Sequence, residues 1–273
     1  MIWVLVLVVL AVAVKFFQGS GDLTEGAIDF GNQESKLLAE NLHLLKDEVE
    51  QYFAEGIPER RTEFVLNPGE TLRRMVGFEQ ANQFVSAEEE PERLIAGVIE
   101  TPRGKGIETV WKIGTSRKVE ALFLRDGEGE WKMDWANMVR YSEKNWPLYL
   151  GGEGEDLAEF RLLARRRSGD LSGNVSSVVL LGPRMDHPGE VGASSPEVVV
   201  EPDSRVGRAL TAAFRKREAG EGVYGSEAFT LDPRGMIRVR LRLLREGESE
   251  KSFLIREVVA CHWYDFDDLG LED

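Results

Sequence analysis

Hydrophobic and polar positions follow three different patterns along this chain. Residues 1–17, MIWVLVLVVLAVAVKFF, are apolar except for Lys15 and show no period. A spanning helix needs about 17–25 apolar residues, and this run reaches the lower limit if Lys15 snorkels toward the headgroups. Residues 1–18 are therefore expected to be a single-pass membrane anchor. A signal peptide is the alternative: Ala11-Val12-Ala13 fits a small-x-small cleavage site, but no basic residue precedes the apolar centre. A buried core segment is the third reading. The positive-inside rule has little to act on. Lys15 alone argues for a cytoplasmic body, and a lost basic start argues the reverse. The extracytoplasmic side is the expectation adopted.

After a linker at 19–33 the pattern becomes helical. Leu38, Leu42, Leu45, Val49 and Phe53 recur every three or four residues, which predicts a helix over 34–53. A second helix is expected from Asn67-Pro68-Gly69-Glu70, with Asn67 as cap and Glu70 completing a capping box. Leu72, Met75, Val76 and Phe84 supply its apolar side, and the run Glu88-Glu89-Glu90-Pro91 ends it.

Short β-rich runs then follow at 93–101, 107–113, 117–125 and 130–139, bounded by glycines and charges. Residues 103–106 and 126–129 have hairpin-loop composition. Two helices followed by a four-strand antiparallel meander predict an α+β domain over 34–150.

The stretch FLRDGEGEWKMDWANMVRYSEKNW, residues 123–146, is a strand, a charged turn, then a Trp-Lys-x-Asp-Trp strand. With the helices ahead of it, this order resembles the nuclear transport factor 2-like family. Its curved sheet wraps around helices as a cone. Members usually carry a further strand or helix ahead of the main meander, and no segment here is assignable to it. Enzymes on the cone fold move protons with carboxylates, histidines or tyrosines in the cavity. The resemblance implies a cavity drawing on Asp134, Glu120, Arg140 and Tyr141.

Residues 151–157 read as a flexible charged linker. Beyond it, strands are expected at 160–166, 175–181 and 197–201, a helix at 204–218 capped by Ser204, and strands at 236–244 and 252–264. Three strands, a helix and two strands is the element order of an OB-fold, a small Greek-key barrel. The second domain is placed at 158–265 and an acidic tail at 266–273. Residues 220–232 are an insertion that this order does not explain.

Charge and cysteine content remove several functions. The net charge of −14 repels phosphate backbones, so nucleic-acid binding is not expected. Cys261 is the only cysteine, which excludes an internal disulfide and a cysteine-based zinc site. His43, His187 and His262 lack metal-ligand spacing, and the acidic tail lacks the glycine and distal glutamate of a calcium loop. Nucleotide-binding loops, nucleophile elbows and zinc-protease helices are absent from the sequence. No metal or cofactor is expected.

The remaining candidates are few. Alternation along 131–135 puts Lys132 and Asp134 on the face opposite Trp131, Met133 and Trp135. Asp134, with its pKa raised by burial, is a candidate general base, and Tyr141 is a second catalytic candidate. The bland alternative is a solvated face. Trp111, Trp131, Trp135 and Trp146 are candidates for an apolar ligand pocket, with ordinary core as the alternative. Arg238, Arg240 and Arg242 alternate with apolar residues, offering three guanidiniums for an acidic partner or phosphate chain. The alternative is a solvated strand face neutralised by Glu246, Glu248 and Glu250. The expected function is a membrane-tethered, non-catalytic binding or assembly module of the cell envelope, holding a protein partner or a small apolar ligand. The alternative is an enzyme using the cone cavity for proton transfer or hydrolysis.

Overall fold

The computed structural model describes residues 25–82, 84, 86, 87, 89–167, 174–246 and 252–271. The apolar run 1–17 lies outside them. Among the described residues no helix is long and apolar enough to cross a membrane.

The first helix, α1, is Glu25–Ala54, longer than its apolar stripe alone predicts. Up to His43 it belongs to a separate compact unit, where Lys36 pairs with Glu40 one turn on. Residues 44–273 form the second unit, and there Leu45, Val49, Tyr52 and Phe53 are buried. The short helix α2, Pro58–Arg61, has no apolar period and was not expected. Helix α3, Pro68–Ala81, starts at the expected place, but Asn67 takes a left-handed conformation and its side chain makes no cap. Glu70 pairs with Arg74 instead of closing a capping box. Met75 is buried, whereas Val76 is exposed.

Strands β1 (Glu92–Thr101), β2 (Gly104–Ile113), β3 (Arg117–Arg125) and β4 (Trp131–Met133) form an antiparallel sheet in sequential order. The β3–β4 turn works as its composition implies. Asp126 Oδ1 accepts the N–H groups of Glu128 and Glu130, each at 2.9 Å, and Gly129 supplies a φ of +85°. The last strand is much shorter than expected, because Asp134 is the N-cap of a helical turn, α4 (Trp135–Met138). Its carboxylate accepts the Asn137 N–H and ends the strand. Val65 bridges Met133 in parallel, which ties the helical segment to β4.

Helix α5, Trp146–Gly151, is capped by Asn145 and leads into the second sheet. Residues 153–156, expected to be a free spacer, are fastened by Arg245. It donates to the carbonyls of Tyr149, Glu153 and Gly154 and to the Asp156 carboxylate. Strands β5 (Leu157–Arg166), β6 (Ser177–Pro183), β7 (Val191–Val199), β8 (Met236–Glu246) and β9 (Ser252–Ala260) lie in the order β7-β6-β5-β8-β9, all antiparallel. Strand β8 returns by a long connection to lie beside β5, which gives a Greek key. The edge strands β7 and β9 approach each other without a ladder.

The long connection carries helix α6, Arg205–Glu218. Ser204 caps it by accepting the Gly207 N–H at 3.0 Å. Gly207 sits against the carbonyls of Glu201 and Pro202, where an added Cβ would come within 2.3 Å, so a larger residue would force the turn apart. Leu210 and Phe214 of α6 pack with Phe160, Leu162, Val239 and Leu241 from the sheet. The unexplained stretch 220–232 forms two 3₁₀ turns, Val223–Gly225 and Ala228–Leu231. The main elements are thus α+β, with two antiparallel sheets.

Candidate binding cleft

Strand alternation sorts β8 into two faces. Ile237, Val239, Leu241 and Leu243 enter the apolar core beside α6. Arg238, Arg240 and Arg242 point the other way. This face is not the solvated one of the alternative reading: Arg238 and Arg240 are buried, and only Arg242 is exposed.

Arg238 meets Glu120, which projects from β3 of the first sheet. It donates through Nη2 at 2.8 Å and also through Nη1. Its Nε and Nη2 reach Asp232 at 2.7 and 3.0 Å. Burial alone would raise the Glu120 pKa, but Arg238 and Arg140 overcome it and hold the carboxyl below its ordinary value. Glu108, two residues from Val110 on the same face of β2, takes the opposite course. Burial, then the Glu120 charge, raises its pKa. Its oxygens accept from Tyr264 Oη (3.0 Å), Ser226 Oγ (2.7 Å) and the Ala228 N–H (3.2 Å). The segment 220–232 therefore has a role: it brings Ser226, Ala228 and Asp232 to the charges between the two sheets.

Farther along the same face, Arg161 of β5 and Arg240 grip the C-terminal segment. Arg161 Nε donates to the Trp263 carbonyl at 2.6 Å and Nη2 to Asp265 at 3.0 Å. Arg240 donates to the carbonyls of Tyr264 and Phe266, each at 3.0 Å, and pairs with Glu159 and Asp267. Arg74 of α3 takes the other oxygen of Asp265 at 2.8 Å. The acidic tail is thus anchored through residue 271, with Leu269 and Leu271 packed on the second sheet's core.

These residues border a cleft of about 650 Å³. Its walls hold five guanidinium groups (Arg74, Arg103, Arg161, Arg240, Arg242) and five carboxylates (Glu70, Glu143, Glu159, Asp265, Asp267). Most of these charges are consumed in the pairs above. Among the described residues, Arg103 and Glu143 have no ion-pair partner. A second hollow of about 440 Å³ shares Arg74, Tyr141, Ser142, Glu143 and Arg161 with the first. The two form a groove on either side of residues 141–143.

Tyr141 stands at this shared wall. Its ring lies 5.3 Å from that of Trp135, and the Arg74 guanidinium sits 5.6 Å over it. Burial raises its pKa above the ordinary tyrosine value. Asp134 lies beneath the wall and not in the groove. Burial, then the Asp265 charge, raises its pKa, yet both oxygens are occupied. Oδ1 accepts the Asn137 N–H at 3.0 Å and Oδ2 the Asp265 N–H at 2.7 Å. Its place beside Lys132 on a strand face is corrected accordingly: it is a buried cap that holds α4 and the tail.

The structure brings Tyr141, Arg240 and Arg242 to one groove, with Trp146 on the wall of its smaller hollow, and leaves Trp111, Trp131 and Trp135 elsewhere. Trp111 and Trp131 are buried, with the Trp111 indole donating to Thr109 at 2.7 Å. Trp135 is buried too, but one side of it borders a separate small cavity. Sequence reasoning missed Arg161, Glu159 and Asp265. The alternation of Arg161 and Arg165 with Phe160, Leu162 and Ala164 carried the same signal as β8, only weaker. Cys261 is buried, which pushes its thiol up to about 12. Burial takes His262 down to about 3, and its Nδ1 accepts the Tyr264 N–H. Among the described residues no three His, Cys, Asp or Glu side chains are placed to hold a metal ion. The chain matches no protein-family model, no curated protein and no solved structure.

Proposed function

We propose that this protein is a membrane-tethered, non-catalytic binding module of the cell envelope, and that its groove receives an extended segment of a partner protein. The observation that carries the reading is the lining of the 650 Å³ cleft: equal numbers of cationic and anionic side chains, with Arg103 and Glu143 left over at opposite sign. A polypeptide offers amides and both charge signs along its length, and so fits such a surface. A phosphate chain fits it poorly, because Arg240 and Arg242 already hold the Glu159 carboxylate.

Three further points support the reading. Asp134, the best catalytic candidate, is buried outside the groove, with each oxygen accepting a backbone N–H. The tether rests on the apolar run 1–17, with the body on the extracytoplasmic side. The meander after two helices supports a nuclear transport factor 2-like first half. The five-stranded Greek key with converging edges supports an OB-like second half.

The test is site-specific photocrosslinking in the protein's own membranes. A photoreactive residue replaces Leu157, which is exposed and borders the groove, or Val199, which is exposed elsewhere. A discrete protein adduct from position 157, absent from position 199 and weakened by Arg103→Glu, is the expected result. Identical adducts from both positions, or none from 157, would overturn the reading.

A further inference from the structure

The small cavity beside Trp135 has a different character from the groove. It measures about 130 Å³. Five aromatic rings line it: Tyr52, Phe53, Phe78, Phe84 and Trp135. The rings brace one another. Phe78 meets Trp135 edge-on at 5.6 Å, and Tyr52 meets Phe84 edge-on at 6.0 Å. Such contacts hold the walls apart as a box and resist collapse onto the empty volume. Met138 and Met185 close the remaining sides.

The charges around the box are already matched. Glu79 pairs with Arg61 at 2.7 Å, and Asp186 with Arg117 at 2.9 Å. The ring faces are matched as well: Arg61 lies 3.6 Å over Phe84 and Arg117 lies 5.2 Å over Phe53. An ammonium ligand would compete with two guanidiniums that hold those positions. An anion would meet the Glu79 and Asp186 carboxylates and guanidiniums already paired with them. Uncharged apolar matter is left, and apolar cavities of about 150 Å³ take up benzene.

We propose that this box is a binding site for a small uncharged apolar molecule the size of a single substituted ring. Phe78, Asn82, Val139 and Met185 border both the box and the 440 Å³ hollow, so entry is from that side. Met185 is the movable part of the wall, being unbranched with three rotatable bonds.

The chain's methionines make the site directly observable. Met138 and Met185 line the box, whereas Met75, Met133 and Met236 do not. The full-length chain, labelled at its methionine methyl carbons and held in detergent, is titrated with toluene and followed by NMR. Saturable shifts of the Met138 and Met185 methyls, with those of Met75, Met133 and Met236 still, are the expected result. Tetramethylammonium at equal concentration moves none of them. Val139→Phe fills the box and abolishes the toluene response, with the Met75, Met133 and Met236 signals unchanged as proof of fold. Two outcomes overturn the proposal. One is a linear, unsaturable drift of the Met75, Met133 and Met236 methyls along with those of Met138 and Met185, as partition into detergent produces. The other is an equal response to tetramethylammonium.

Discussion

The two faces of the second sheet carry residues from the same strands and are held by opposite physics. Toward α6 the face is apolar throughout, with Phe160, Leu162, Val239 and Leu241 almost fully buried. Toward the first sheet the same strands present Arg161, Arg238 and Arg240, buried nearly as deeply. The apolar face needs only volume and fit. The arginine face needs a named carboxylate for every guanidinium, because an unpaired buried charge is far costlier than a small void. The apolar face therefore tolerates exchange, while the arginine face admits one arrangement of the two sheets.

The comparison is broken most sharply at Arg238. Replacing it by Ala strands Glu120 and Asp232 in the interior, and unfolding by denaturant should show a loss of about 3–5 kcal/mol. Leu241→Ala removes a fully buried side chain from the other face and should cost about 2–5 kcal/mol. The distinguishing sign is in repacking. Leu241→Met should recover most of the Leu241→Ala loss, whereas Arg238→Lys should recover little, since one ammonium cannot reproduce the fork that meets both Glu120 and Asp232.

Acidity sharpens the comparison further. Burial pulls the His262 pKa down to about 3 from an ordinary value near 6.5. A histidine lowered on folding supplies stability that is complete above pH 6.5 and is lost as the pH falls toward 3. The loss is at most about 5 kcal/mol, and His262→Phe should flatten that part of the curve measured by thermal unfolding. Glu48 has the opposite sign. Burial raises it to about 7, so its contribution is complete below its ordinary pKa of 4.5 and is lost as the pH rises through 7. It is partly exposed, and with solvent screening the effect is about 1 kcal/mol, removed by Glu48→Gln.

The smallest effect belongs to Arg242, on the same strand and face as Arg238 but open to solvent. Its pairs with Glu159 and Glu257 are exposed, and Arg242→Gln should change stability by less than about 1 kcal/mol.

Much of the fold was legible because local rules governed it. Ser204 capped its helix, Asp126 made its turn, and the apolar half of each strand went to a core. The site was half legible. The alternation at 236–244 identified the arginines, but a strand pattern gives two faces without saying what lies beyond either. Whether Arg238 meets water or Glu120 depends on a residue 118 positions away. Asp134 misled for a related reason: after two strand residues of correct alternation, its carboxylate captured the Asn137 N–H and began a helical turn. The anchoring of residues 265–267 was not legible, because the arginines that hold them come from other elements.

Paired charges between the sheets make residues 44–273 one cooperative unit. Native-state amide hydrogen exchange tests it most directly, comparing Phe123 and Leu122 in the first sheet with Leu162 and Val239 in the second. Equal opening free energies at all four amides, falling together in Arg238→Ala, are expected. Amides of one sheet exchanging at a much lower free energy, with Arg238→Ala leaving the other sheet unaffected, would show two independent domains and contradict it.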